Sequence, residues 1–149
     1  MTSFLFQVVS TLAMFGLIWF VQVVHYPLFE LVDDRQFASS HATRTTYVVA
    51  PLMLAEIGSS AALLRAAWRP AFITSTEAWL GAALVVVIWL STAFLQVPMH
   101  DRLQAQHAIA DARRLVATNW VRTVAWSVRA ALVMLWVWRC CAIAAASLK

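Results

Sequence analysis

Gln22-Val23-Val24-His25-Tyr26-Pro27 is where a long apolar run acquires polar groups and meets a proline, and Gln96-Val97-Pro98-Met99-His100 does the same about half a chain later. Each run is about twenty residues long, enough for a helix to cross a bilayer core. The segments that follow also correspond. His41-Ala42-Thr43-Arg44-Thr45 lies beside Asn119-Trp120-Val121-Arg122-Thr123, with a polar residue, an arginine and a threonine at the same offsets. Both halves enter the membrane in the same direction, which predicts a parallel repeat about an axis along the membrane normal, with one shared polar site.

Composition supports the membrane reading. The chain is 62% hydrophobic and 12% charged, against roughly 45–50% and about 25% in soluble domains. Its mean hydropathy is +0.75. A net charge of +4 without any basic run fits arginines near lipid headgroups and argues against a nucleic-acid partner. Cys140 and Cys141 are adjacent, a spacing that rarely reaches disulfide geometry, and read as small apolar residues. The first run lacks the basic flank and cleavage site of a signal peptide, so a retained transmembrane helix is expected.

Working outward, apolar length predicts an all-α membrane protein: a four-transmembrane-helix bundle made of two tandem helical hairpins, with spans at residues 4–26, 44–64, 79–99 and 119–138. The short connection Arg65-Ala66-Ala67-Trp68-Arg69-Pro70 makes its neighbours antiparallel, because the proline cannot continue a helix. The other two connections, 27–43 and 101–118, are longer and share the opposite side. Each has room for a short surface helix. A count of Lys and Arg places these connections in the cytoplasm, but setting aside Arg44 and Arg122 as part of the bundle leaves a tie. The acid-rich long connections then tip the expectation to cytoplasmic termini.

Positions three and four apart share a helix face. The inward stripes predicted this way are Gln7, Thr11, Met14, Ile18, Gln22 and His25 on the first helix, and His41, Thr45, Val49, Leu52, Glu56 and Ser59 on the second. The third carries Gly81, Val85, Trp89, Thr92, Gln96 and His100, and the fourth Asn119, Arg122, Trp126, Arg129, Val133 and Trp136. Side chains lean towards a helix N-terminus, so the polar groups of all four helices are expected to converge on one pocket below the long connections.

Glu56 and Arg129 fall near mid-bilayer, where an unpaired charge is costly, and are expected to pair. The functional reading makes Glu56 a base or ligand and Arg129 part of an oxyanion clamp, both catalytic. The structural alternative is an ion pair that fixes helix register. His25, His100 and His41 are candidate ligands for a metal ion, or His25 and His100 for haem with Arg44 and Arg122 near the propionates. Gln22, Gln96, Asn119, Arg122, Arg44 and Trp126 form a candidate substrate rim: amides and arginine for an oxygen-bearing head, and an aromatic wall for its apolar part.

The pattern His25-Tyr26-Pro27, Gln96-x-Pro98-x-His100 and Asn119-Trp120-x-Arg122-Thr123-x-x-Trp126-x-x-Arg129 resembles small uncharacterised four-helix integral membrane proteins of bacteria. The resemblance covers nearly the whole chain. It implies a bacterial inner membrane and names no reaction.

The expectation is therefore a membrane oxidoreductase acting on a lipophilic, anionic or quinone-like molecule, with a metal ion or haem as redox partner. An accessory subunit of a larger membrane complex, or a homo-oligomer, is the second expectation, and a small transporter the third.

Overall fold

Among the described residues, four helices are long and apolar enough to cross a membrane: Thr2–Leu28, Tyr47–Leu64, Ser75–Arg102 and Ala110–Ala146. A computed structural model describes residues 2–28, 35–106 and 109–148, with side chains at 2–28, 47–102 and 110–148. The described residues are all-α, without a strand. The first helix packs against the second and fourth, and the third against the same two, so the four make a square with first–third and second–fourth diagonals. By length and composition this is a multi-pass integral membrane protein.

The helices extend beyond the predicted spans. The second begins at Arg35, the third continues to Gln106 and the fourth runs from Ile109 to Ala146. Most of the expected 101–118 connection is therefore helical, and residues 107–108 between the two helices lie outside the described residues. Hydropathy marks where a helix is in lipid, and polar residues can continue the same helix into water. At 1.5 Å per residue the fourth helix is about 57 Å long, nearly twice a bilayer core of about 30 Å.

The third helix also starts a turn earlier than predicted, at Ser75, because Thr74 and Glu77 form a capping box. The Thr74 hydroxyl accepts from Glu77 N at 3.2 Å, and the Glu77 carboxylate accepts from Thr74 N at 3.0 Å. These bonds occupy amide donors that a helix start otherwise leaves unpaired. Arg139 of the fourth helix reaches the same carboxylate at 2.9 Å and the Phe72 carbonyl at 3.2 Å, tying the short connection to the bundle.

Both prolines after the opening motifs lie inside helices, each two residues beyond a π turn: Val21–His25 before Pro27, and Thr92–Gln96 before Pro98. A helical proline clashes with the carbonyl four residues back and donates no hydrogen bond. Here the turn widens instead of breaking. The amide of Tyr26 bonds Val21 O, and that of Val97 bonds Thr92 O. Counted from the prolines, His25 corresponds to Gln96, which differs from the predicted pairing of Gln22 with Gln96.

The π turn also corrects the third stripe. Trp89 is exposed and Thr92 half-buried, while Ile88 and Ser91 are buried in their place. The wide turn adds the residue needed for Ser91 and Gln96, five apart, both to face inward. The first stripe from Gln7 to His25 and the fourth from Asn119 to Trp136 are buried throughout as predicted. Leu5, Phe6, Val9, Val86, Phe94 and Val124 are exposed, as a lipid-facing surface requires.

Candidate functional site

The buried polar residues form two layers rather than the single pocket expected from the stripes. The inner layer is built on Glu56. Its Oε1 accepts from the hydroxyls of Ser10 and Thr11, each at 2.6 Å. Its Oε2 accepts from Gln7 Nε2 at 2.8 Å, and from Arg129 Nε and Nη2, each at 2.6 Å. The predicted ion pair thus forms, with both partners at most 1% exposed.

Arg129 reaches beyond Glu56. Nη2 donates to Ser60 Oγ at 2.7 Å, and Nη1 donates to the carbonyl of Gly81 on the third helix. Ser60 donates to Gln7 Oε1 at 3.2 Å, which closes the network back to the first helix, while the single hydroxyl hydrogen of Ser59 goes to the Ala55 carbonyl at 2.7 Å. All four helices meet in this layer. A carboxylate has about four lone-pair sites, so these donors leave none open to a ligand.

Gly81 permits the approach. A Cβ there would lie 3.2 Å from Arg129 Nη1 and 3.6 Å from the Trp136 ring. Gly81→Ala is expected to push the guanidinium off the carbonyl and lower stability by about 1–3 kcal/mol, as overpacking does. Thermal unfolding in detergent measures this, and an unchanged melting temperature would show that Arg129 has slack.

An apolar layer of Met14, Ile18, Met53, Ile88, Ala125 and Trp126 separates this network from the second. Helix geometry imposes the separation, since the step from Gln7 to Gln22 is about 22 Å of rise. Trp126, predicted to be an aromatic wall beside the polar rim, is completely buried in this middle layer.

The outer layer lies towards the long connections. Gln22 Nε2 donates to the Val116 carbonyl at 3.1 Å, and Gln22 Oε1 accepts from Asn119 Nδ2 at 2.8 Å and Thr123 Oγ1 at 3.2 Å. Asn119 Oδ1 in turn accepts from Arg122 Nη1 at 3.2 Å. Each amide orientation is therefore consistent with the next, and the chain from Gln22 through Asn119 holds the Arg122 guanidinium in place. The Tyr26 hydroxyl faces the Arg122 guanidinium and lies 3.2 Å from His100 Nε2. Tyr26 and His100 meet edge to face, with ring centroids 5.6 Å apart.

Some buried polar atoms here have no hydrogen-bond partner among the described residues: Arg122 Nε, Gln96 Oε1 and Ser91 Oγ. The indole nitrogens of Trp126 and Trp136, deeper in the bundle, share this property. Among the described residues no carboxylate forms a salt bridge with Arg122, which is 7% exposed.

The structure thus brings Gln22, Asn119 and Arg122 into one bonded set and places Glu56 and Arg129 in another. His25 is buried beside Tyr26, with ring centroids 5.8 Å apart. The side chains of His41 and Arg44 lie outside those described. Among the described residues no three His, Cys, Asp or Glu side chains gather to hold a metal ion. Tyr26, Thr123, Ser91, Ser10 and Ser60 enter the site without having been predicted as site residues. Tyr26 sat in the opening motif, and Ser10 and Ser60 lie on the same helix faces as Gln7 and Glu56. No family model, curated protein or solved structure matches this chain.

Proposed function

We propose that this multi-pass protein takes the oxygen-bearing head of a lipophilic molecule, anionic or quinone-like, into the outer layer and exchanges a proton with it. The observation that carries the reading is Arg122, a buried guanidinium with an unpartnered Nε and no carboxylate bridge among the described residues. A cation within a membrane span is costly unless something electron-rich faces it, so intramembrane charges mark ligand sites by default.

Arg122 is the anchor for the oxygen, held in position by Gln22 through Asn119. Tyr26 and His100 share a hydrogen bond, so a proton can pass from the phenol to the imidazole or back while a substrate oxygen gains or loses one. Glu56 and Arg129 serve as the brace beneath, since the carboxylate is wholly engaged by donors of the bundle. A redox reaction would draw its electrons from a partner. Among the described residues no three His, Cys, Asp or Glu side chains gather for a metal ion, and a haem, which needs only two axial ligands, would use His25 and His100.

The test is saturable binding of a short-chain benzoquinone to the purified protein, followed by quenching of tryptophan fluorescence. Binding is expected to weaken roughly 10-fold in Tyr26→Phe and in His100→Gln, the loss of about one hydrogen bond to the head. No saturable binding, or unchanged binding in both variants, would overturn the reading. A Soret band lost on replacing His25 or His100, or stoichiometric bound metal, would favour the cofactor reading instead. Consistent co-purification with a larger complex would favour an accessory subunit.

A further inference from the structure

The unpartnered atoms of the outer layer specify more than an anion. Gln96 is 1% exposed, and its Nε2 donates to Thr118 Oγ1 at 3.1 Å. The Thr118 hydroxyl has a single hydrogen, committed to the carbonyl of Arg114 at 2.8 Å or of Leu115 at 3.3 Å. It can therefore only accept from Gln96, which fixes the amide and leaves Oε1 as the buried acceptor without a donor.

The third and fourth helices run antiparallel, and two contacts set their register: Gln96 with Thr118 near the long connections, and Gly81 with Arg129 further in. On that register Ser91 stands at the level of Arg122. The layer thus offers a donor that needs an acceptor, Arg122 Nε, and an acceptor that needs a donor, Gln96 Oε1, with the Ser91 hydroxyl able to play either part. A deprotonated carboxylate or a plain quinone carbonyl satisfies the arginine but turns lone pairs on Gln96. A hydroxyl both donates and accepts.

We propose that the head group recognised here carries a hydroxyl, as in a quinol or other hydroxyaromatic lipid, and that Gln96 is the residue that selects it. This rests on the outer layer being the binding site. The same site would bind the reduced, hydroxyl-bearing form of such a molecule more tightly than the oxidised form.

The test compares three probes of similar size under anaerobic conditions: a short-chain benzoquinol, the matching benzoquinone and a short-chain fatty acid. The quinol is expected to bind roughly 10- to 100-fold more tightly than either of the others, the worth of a buried acceptor being satisfied or not. In Gln96→Leu that preference should vanish. Gln96→Glu, which retains a carbonyl-type acceptor, provides a second variant should the leucine protein fail to fold, and it should keep the preference. Equal affinity for all three probes in the wild-type protein, or a preference that survives in Gln96→Leu, overturns the selection by Gln96 and leaves the binding site standing. Failure of every probe to bind overturns the site itself, and this inference with it.

Discussion

Glu56→Ala is expected to lower the stability of the bundle by about 3–5 kcal/mol, the cost of leaving a buried charge without its partner. The substitution strands Arg129, 1% exposed, together with the hydroxyls of Ser10 and Thr11 and the amide of Gln7, all of which donate to this carboxylate. Arg129→Met should cost a similar amount, because it leaves the Glu56 charge with neutral donors alone. Replacing both, as Glu56→Leu with Arg129→Leu, should cost less than the sum of the single changes, since no uncompensated charge remains. Unfolding of the detergent-solubilised protein followed by circular dichroism supplies the cycle. Strict additivity, or single variants that melt with the wild type, would mean that the network does not brace the four helices.

That this pair exists was legible in the sequence, and the way it is satisfied was not. Glu56 and Arg129 stand out as charges within apolar runs, and their spacing along two helices made them partners. The third contribution comes from the backbone carbonyl of Gly81, which no side-chain pattern can show. Ser10 and Ser60 are similarly quiet in sequence, because serines in membrane helices often bond only their own backbone.

The stripe on the third helix failed for a definite physical reason. The inward face steps by three from Val85 through Ile88 to Ser91, not by four to Trp89, and the π turn before Pro98 then supplies the five-residue step from Ser91 to Gln96. A proline within an apolar run thus signals either the end of a helix or a widened turn. Both turns here close two residues before a proline, and they carry Gln22, His25 and Gln96, the polar groups from which the site is built.

Stability and binding should separate at Arg122. Arg122→Met removes a buried guanidinium that lacks a carboxylate bridge among the described residues, so the desolvation cost of the charge disappears with little Coulombic attraction lost. Its melting temperature should stay at or above that of the wild type, opposite in sign to Glu56→Ala. Binding of the short-chain quinol should nevertheless weaken by about 10- to 100-fold, the worth of a charge-assisted hydrogen bond of roughly 1.5–3 kcal/mol. Arg122→Lys should recover only part of this. A lysine has no Nε branch to face the ligand while its tip holds Asn119 Oδ1, and its point charge lacks the planar fork. The two measurements together distinguish a ligand group from a structural one. If Arg122→Met melts as low as Glu56→Ala and binds quinol as the wild type does, Arg122 is a second brace, and the outer layer loses its claim to be a binding site.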